Sequence, residues 1–407
     1  MSGRFVDLAV VEKDPYTFYA ASATGGIFKT TDNGVTFAPV FERQSVHSIG
    51  AIVVNQQNPN ILWVGTGERA NRQSSSWGDG VYKSTDAGKT WTNMGLKDTK
   101  HIGRIVIDPL NANVVYVAAG GHLWGQNDER GVFKTTDGGT TWKKALFVDA
   151  KTGATDLVID PKNPKVLYAA MYQRERTSWG FNGGGPGSGL YKSIDAGVTW
   201  KRLTKGLPAG DLGRIGLDIA RSNPNVVYAI IDSYDVGRPA NPGERDAYGR
   251  LLPEGSSIIR GMEIYRSDDK GATWRKTSGL TPETSRQMMS LGNTYNWVFT
   301  QIRVDTKNEN KIYVLALGVS VSQDAGATFA PFAAGGGDNH RMWIDPANPN
   351  IVFTASDQGF TMTNDGGKTK KEATGIHGTQ FYNVELDMAK PFHAYGSVQD
   401  AGSYRTE

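Results

Sequence analysis

The sequence predicts an all-β fold, a seven-bladed β-propeller, from three observations. One pattern, Ser/Thr-x-Asp-x-Gly-x-Thr-Trp/Phe, occurs seven times, with Lys370 replacing the aromatic residue in the last copy. Most copies lie about 50–60 residues apart, a spacing that suits one four-stranded blade and its loops. Glycine is abundant, at 50 of 407 residues, and no dozen consecutive residues keep an amphipathic helical pattern. Short strands joined by tight turns would account for all three.

Each repeat unit is interpreted as four strands, A to D, in a fixed order. An apolar strand A leads into an Asp-Pro or Asn-Pro turn or a relative of it, and an apolar strand B follows, as in GRIVIDPLNANVVYVAAG from Gly103. Such proline steps form turns and block helix. A loop of variable length then leads to strand C, the repeated pattern forms the C–D hairpin, and strand D ends the blade. We therefore predict the seven blades over residues 1–375.

The aspartate of each pattern is predicted to be structural. Its carboxylate suits hydrogen bonds from the N–H groups of its own turn. The glycine supplies a positive φ without a steric cost, and the aromatic residue can wedge between neighbouring blades. We expect none of these aspartates to be catalytic. The seven are Asp32, Asp86, Asp137, Asp195, Asp269, Asp324 and Asp365.

An eighth unit begins after the last pattern, within residues 376–407. The segments FYNVELDMAK and PFHAYGSVQD resemble strands A and B, but no further copy of the pattern follows them. Two interpretations stay open. The unit either completes the ring or begins a second propeller domain that is missing from this chain.

Composition argues against several classes of site. The chain has no cysteine, which excludes disulfides, zinc thiolates and cysteine nucleophiles. The net charge of +3 is small and the basic residues are dispersed, so we predict no nucleic-acid partner. No run of about 18 apolar residues is present, so no membrane span is expected. We predict no cofactor.

Three consecutive B–C loops each carry one tryptophan: Trp77, Trp124 and Trp179. Such loops share one face of a propeller and vary in length, which is typical of functional surfaces. The indoles are predicted to stack against sugar rings or an extended partner. The alternative is that each ring folds back as a lid on its own blade. The longest insertion, residues 233–261, is expected to overhang the same face as a lid, a docking arm or a mobile loop.

The same loops contain charged residues that predict an anionic ligand or, alternatively, solvated ion pairs. Arginine forks bind carboxylates and sulfates, so an anionic glycan or an acidic peptide would suit them. Surface ion pairs are the alternative for any single residue. The candidate ligand-binding arginines are Arg69, Arg72, Arg130, Arg174 and Arg176.

Four histidines precede strand A of their blades and are weak candidates for a metal site near the central channel: His47, His101, His340 and His377. Because no HxH or HExxH spacing is present, we predict no metal. Four carboxylates of the loops are weak catalytic candidates: Glu68, Glu129, Asp338 and Asp400.

The repeated pattern is that of Asp-box, or BNR, repeats, which sialidases, sortilin-type receptors, two-propeller xyloglucanases and a photosystem II assembly factor share. The segments LWVGTGERANRQSS, GHLWGQNDERGVFKTTD and GGDNHRMWIDPANPN resemble large bacterial exported proteins described as sortilin-like or BNR-repeat glycosyl hydrolases. This resemblance implies a secreted or periplasmic bacterial protein, whose leader this sequence would lack, and a second propeller.

The resemblance to xyloglucanases implies a catalytic aspartate in a Thr-Asp-x-Gly-Gly segment of the first blade, where this chain has Ala23. It also implies that the second carboxylate, which an inverting glycosidase needs, lies in the second propeller. We therefore predict a binding or assembly propeller for a polysaccharide or protein partner, and lean against an enzyme. The alternative is a glycoside hydrolase-like enzyme that uses carboxylates of the loops.

Overall fold

The structure, a computed structural model, describes residues 4–246, 249–292, 296–373, 375–376, 381–398 and 402–406. These residues form seven four-stranded antiparallel sheets, one three-stranded sheet and one two-stranded hairpin. The prediction of an all-β propeller is confirmed. Each four-stranded sheet keeps its strands in chain order. In the fourth blade the two-stranded hairpin is inserted, in the sequence, between the second and third strands.

The strands have the following bounds, blade by blade. Blade one comprises β1 Phe5–Val10, β2 Phe18–Ser22, β3 Ile27–Thr30 and β4 Ala38–Pro39, and blade two β5 Ile49–Val54, β6 Leu62–Thr66, β7 Val81–Ser84 and β8 Thr92–Asn93. Blade three comprises β9 Ile102–Asp108, β10 Asn111–Ala119, β11 Gly131–Thr135 and β12 Lys143–Leu146, and blade four β13 Thr152–Ile159, β14 Leu167–Gln173, β17 Gly189–Ser193 and β18 Lys201–Leu203, with the hairpin β15 Glu175–Thr177 and β16 Gly180–Asn182. Blade five comprises β19 Leu212–Ile219, β20 Val227–Pro239, β21 Ser257–Ser267 and β22 Arg275–Lys276, and blade six β23 Gln301–Val304, β24 Ile312–Leu315, β25 Val319–Ser322 and β26 Ala330–Pro331. Blade seven comprises β27 Asn339–Ile344, β28 Val352–Ser356, β29 Gly359–Thr363 and β30 Lys371–Glu372, and the three-stranded sheet β31 Phe381–Leu386, β32 Ala394–Val398 and β33 Gly402–Arg405.

The first strands of successive blades contact one another around the axis, and β27 of blade seven contacts β1 of blade one. The ring therefore closes between blades seven and one. Strands β31–β33 pair only with each other, and every described residue of β31 is exposed. The closed ring thus needs no strand from the eighth unit, and a second propeller that begins there stays a prediction.

Buried aspartates connect the first strands of neighbouring blades near the axis. One carboxylate oxygen accepts the N–H of the next residue, and the other accepts an N–H from strand A of the following blade. Arg341 and Arg104 extend this network by ion pairs with Asp7 and Asp156, at 2.8 and 3.8 Å. The bonds between blades run from Ile52 to Asp7 at 3.0 Å, from Leu217 to Asp156 at 3.1 Å and from Val304 to Asp218 at 2.8 Å.

A second set of contacts between blades explains why lysines recur before the Asp boxes. In four blades the lysine of strand C donates to a backbone carbonyl inside the box of the following blade, and in three of those four a strand B tyrosine donates to the same carbonyl. The even dispersal of positive charge along the sequence is therefore a consequence of the repeat. The pairs are Lys29–Ala87 at 3.1 Å, Lys83–Gly138 at 3.0 Å, Lys134–Ala196 at 2.7 Å and Lys192–Lys270 at 2.6 Å.

Every Asp-box carboxylate accepts hydrogen bonds inside its own hairpin. In all seven boxes the threonine hydroxyl four residues later donates to the aspartate at 2.6–2.7 Å. Bonds from Thr36 hold the pKa of Asp32 at about 2. Two successive residues of each box have positive φ, as with 59° at Ala87 and 87° at Gly88, whereas the sequence argument anticipated only the glycine.

The buried hydrogen-bonding group of each box is the hydroxyl of the serine or threonine at the first position, and not the aspartate carboxylate. Thr135 is 1% exposed, and its Oγ1 donates to Asp137 at 2.7 Å and accepts the Gly139 N–H at 2.9 Å. Asp137 itself is exposed. The expected hydrogen bonds to the carboxylate are present, since the Thr141 N–H donates to Asp137 at 3.0 Å, but the buried Gly139 N–H donates to Thr135 instead.

We expect Thr135→Val to lower the free energy of unfolding by about 1–3 kcal/mol, because the buried Gly139 N–H loses its acceptor. Urea denaturation would measure the loss. Thr136→Val is the matched control, because Thr136 is exposed, and it should change stability by no more than about 0.5 kcal/mol. Asp137→Ala should cost less than Thr135→Val, and the opposite order would show that the exposed carboxylate dominates.

One α-helix, α1 Pro282–Gly292, lies between blades five and six, where the sequence argument found no helix. The start signal was present. Thr281 precedes a proline at the first helical position, and its hydroxyl accepts the Thr284 N–H at 3.2 Å. A 3₁₀-helix, Lys97–Thr99, lies between blades two and three.

Candidate functional site

The antiparallel order of each blade separates two faces. The Asp-box hairpins and the A–B turns lie at one end of the strands, and the B–C loops and the connections between blades lie at the other. We call the second end the loop face. Its B–C loops are long in blades two, three and four, at residues 67–80, 120–130 and 174–188.

The tryptophans of these three loops are all exposed. Trp77 is 70% exposed, Trp124 is 45% exposed and Trp179, at the turn between β15 and β16, is 89% exposed. None of the three residues is buried, whereas a lid that folds back on its own blade would bury its indole. Three indoles on consecutive blades thus face solvent on one face of the ring.

A cavity of about 560 Å³ lies between the loops of blades two and three. Trp77 and Trp124 both line it, together with a short run of polar residues from Gln73 to Ser76. Its other walls come from Lys100, His101, His122 and Leu123. The volume lies within the range of about 300–1,000 Å³ that small-ligand pockets occupy.

Three of the arginines predicted to bind a ligand are buried and hold the backbone instead. Arg69 donates to the His340 carbonyl, and Arg174 donates to the Gly121 carbonyl at 3.4 Å. Arg130, 0% exposed, donates to the carbonyls of His122 and Gly125 at 3.1 and 3.3 Å, on either side of Trp124. The expectation that these guanidinium groups contact a ligand is therefore corrected: long B–C loops bury their own backbone polar groups, and arginine satisfies them.

The other two candidate arginines are half-buried and have partners. Arg72 forms an ion pair with Asp357 at 3.5 Å, and its side chain is 25% exposed. Arg176 donates to the Asn71 carbonyl at 2.6 Å and lies over the ring of Phe181, 4.8 Å from the ring centroid. Neither guanidinium group is a solvated group that is open to bind an anion.

The candidate carboxylates occupy different environments. Glu68 is 0% exposed and bonded to Arg4 at 2.9 Å, and burial raises its pKa against the opposing charge of Arg4. Glu129 is partly exposed and lies 3.7 Å from Lys144. Asp338 is half-buried on the loop face, with a φ of 56°. Asp400 lies outside the described residues.

The candidate histidines do not converge on a metal site in the described part of the chain. His47 is exposed, and His101 is buried with Nδ1 2.8 Å from the Glu68 carbonyl. Burial lowers the pKa of His101 to about 3. His340 is buried, with Nε2 2.5 Å from an Asp357 oxygen. Among the described residues no three His, Asp or Glu side chains are placed to hold an ion; His377 lies outside them.

Two further aromatic residues of the loop face were not singled out by the sequence argument. Phe181 of β16 and Trp297, which follows α1, have ring centroids 5.3 Å apart. No local signal would have joined them, because they are supplied by blade four and by the connection between blades five and six. Ala23, which stands where the xyloglucanase resemblance implies an aspartate, is 0% exposed at the end of β2.

Comparisons with known proteins relate the chain to propellers that include glycoside hydrolases. The family model for sortilin, neurotensin receptor 3, matches residues 79–209. A xyloglucanase of Acetivibrio thermocellus is 25% identical over 361 residues, covering 78% of this chain and 39% of that protein. A probable oligoxyloglucan-reducing end-specific xyloglucanase of Neosartorya fischeri is 27% identical over 241 residues, covering 56% of this chain and 24% of that protein.

Solved structures support the same fold. The GH74 xyloglucanase from Xanthomonas campestris matches with a TM-score of 0.66 at 16% identity, over 99% of this chain and 59% of that one. YCF48 bound to D1 peptide matches with a TM-score of 0.53 at 14% identity, over 89% of this chain and 93% of that one. Because these identities are low, the two matches carry the fold alone.

This chain spans less than half of the length of either curated xyloglucanase. The glycoside hydrolases among its relatives do not support our expectation from the sequence that the chain is not an enzyme. The helices in the described part of the chain are too short or too polar to cross a membrane.

Proposed function

We propose that this chain is the polysaccharide-binding propeller of a secreted glycoside hydrolase whose substrate is an uncharged β-glucan of the xyloglucan type. The observation that carries the proposal is the arc of Trp77, Trp124 and Trp179, exposed on three consecutive blades of the loop face. The apolar faces of successive sugar rings stack on indoles, so an arc of three suits a chain-like ligand. The xyloglucanases among the relatives favour a β-glucan over other chains of sugars.

The environment of the cavity supports an uncharged ligand. Arg130 and Arg174, two buried arginines of the neighbouring loops, donate to backbone carbonyls. Of the three basic groups in the cavity wall, Lys100 and His122 lie beside Asp98, at 3.9 and 3.0 Å. The third, His101, is buried, and burial lowers its pKa to about 3. An anionic polymer would have to compete with that carboxylate, whereas hydroxyl groups of a neutral sugar need only hydrogen bonds.

Hydrolysis also requires carboxylates that reach the substrate. Asp338 is the candidate that this proposal favours, because it is half-buried at the loop face. Glu68 is instead fully buried beside Arg4, and Glu129 lies beside Lys144. An inverting mechanism needs a second carboxylate about 6.5–9.5 Å away, which we assign to the remainder of the enzyme.

The test measures binding and hydrolysis separately. We expect the chain to bind xyloglucan in calorimetry, with an affinity that changes less than about twofold between low and high salt, because no charge pairing is involved. A carboxymethylated glucan should bind more weakly. If the protein releases reducing sugar from xyloglucan, Asp338→Asn should abolish that release and leave binding intact. Tighter, salt-sensitive binding of the anionic polymer would contradict the proposal.

A protein partner is the second candidate. The blade-five insertion, residues 233–261, exposes Val236, Leu251 and Ile259 in its described part, and side chains of this kind suit a protein surface. Retention of an extended peptide but of no polysaccharide would favour this candidate over the first.

A further inference from the structure

Three loops that carry the exposed tryptophans meet at one residue, through its side chain and its backbone. Arg176 lies in strand β15, one of the two strands of the blade-four hairpin, and is half-buried. Its Nη2 donates to the carbonyl of Asn71, in the loop of blade two, at 2.6 Å. Its backbone forms a parallel bridge with Trp124, in the loop of blade three. One residue therefore contacts the loops of three blades.

The guanidinium group also joins the hairpin to a fourth segment. Its central carbon lies 4.8 Å from the ring centroid of Phe181 and 5.9 Å from that of Trp297. The indole of Trp297 comes from the connection into blade six, and its carbonyl accepts a bond from Arg214 at 3.3 Å. A planar cation held between two aromatic rings loses little freedom when it also donates a hydrogen bond.

The part of the blade-two loop that Arg176 contacts, at Asn71, is compact and lies close to Trp77 in the sequence. Asn71 is 0% exposed, and its amide nitrogen lies 3.4 Å from the Tyr172 hydroxyl. Ser75 donates to the Ala70 carbonyl at 2.8 Å and accepts the Arg72 N–H at 3.2 Å. Residues 70–75 thus form one closed turn, and Trp77 lies two residues beyond it.

We propose that Arg176 is a positioning residue that holds the three tryptophan-bearing loops in one fixed register on the loop face. This inference rests on the proposed function, in which the three indoles stack along one polysaccharide chain. Arg176 contacts no sugar in this scheme. Its effect is to remove the cost of ordering three separate loops when a long chain binds.

The proposal predicts a loss that depends on ligand length. We expect Arg176→Ala to weaken binding of a cello-oligosaccharide long enough to reach all three tryptophans by about tenfold, since the loops must be ordered during binding. Binding of an oligosaccharide that reaches a single tryptophan should change by less than about twofold. A loss of general stability would weaken both ligands equally, and that result would overturn the proposal.

Arg202→Ala is the matched control. Arg202 also donates to loop carbonyls, those of Pro186 and Ser188 at 2.9 and 2.7 Å, but both belong to its own blade. This variant should keep the normal dependence of affinity on ligand length. The same length-dependent loss in Arg202→Ala would overturn the role given to Arg176.

Hydrogen exchange tests the positioning role without any ligand. Arg176→Ala should accelerate amide exchange by about tenfold in residues 71–77 and 175–182, which lose the side-chain contact. Residues 122–127 should accelerate by a smaller factor, because their backbone bridge to residue 176 remains, whereas Arg202→Ala should affect only its own blade. The near-ultraviolet circular dichroism of Trp297 should also change in Arg176→Ala alone. Acceleration confined to residues 175–182 would overturn the proposal. If the natural chain binds no polysaccharide but all three segments respond, the proposed function fails and the positioning role of Arg176 stands.

Discussion

Replacing Asp156 by alanine is expected to lower the free energy of unfolding by about 3–5 kcal/mol, as removal of one partner from a buried ion pair does. Asp156 is 2% exposed and accepts bonds from the N–H groups of Leu157 and Leu217 at 3.0 and 3.1 Å. Arg104 lies 3.8 Å from the same carboxylate. The substitution leaves two N–H groups without an acceptor and one cation without its partner, on strands of three different blades. Urea denaturation monitored by fluorescence would measure the loss.

Two further variants separate the charge from the hydrogen bonds. Asp156→Asn keeps one carbonyl acceptor and should lose less than Asp156→Ala. Asp211→Ala removes an exposed aspartate close to β19 and should change stability by less than about 0.5 kcal/mol. Equal stability of Asp156→Ala and the unaltered protein would show that the axial network does not hold the blades together.

The fold could be predicted from the sequence because each repeat is defined by contacts between residues that are close in the sequence. An Asp-box hairpin needs a hydroxyl, a carboxylate and a glycine within a few residues, so Thr135, Asp137 and Gly139 can be recognised without knowledge of their neighbours. The assignment of importance within the box was less accurate. Exposure is a tertiary property, and it places the buried bond on Thr135 while Asp137 faces solvent.

The candidate site was only partly predictable for the same reason. Trp77 and Trp179 could be recognised as loop residues because no strand or box pattern claims them, and the structure exposes both. Arg130 and Arg174 stood in equally polar segments, yet both are buried. Whether an arginine faces solvent or binds a carbonyl depends on how its loop crosses its neighbours, and no local pattern encodes that path.

Truncation of Trp77 is expected to produce the largest effect on ligand binding. Trp77 is 70% exposed and lines the cavity that Trp124 also lines. We expect Trp77→Ala to weaken xyloglucan binding by about 5- to 150-fold, which corresponds to about 1–3 kcal/mol, since aromatic anchors carry a large share of binding energy. The melting temperature should stay nearly constant, because an exposed ring contributes little to the core. Calorimetry with the polysaccharide and a thermal melt on the same sample would measure both.

Tyr16→Ala provides the matched control for Trp77→Ala. Tyr16 is 61% exposed in the A–B turn of blade one, on the face that carries the Asp boxes. Its loss removes a similar exposed aromatic surface from the opposite end of the ring and should leave xyloglucan binding unchanged. Equal losses in the two variants would indicate non-specific adhesion of the polymer to exposed rings. A lower melting temperature with unaltered binding in Trp77→Ala would instead assign that indole to the packing of its own loop, and the arc of three tryptophans would no longer support a polysaccharide site.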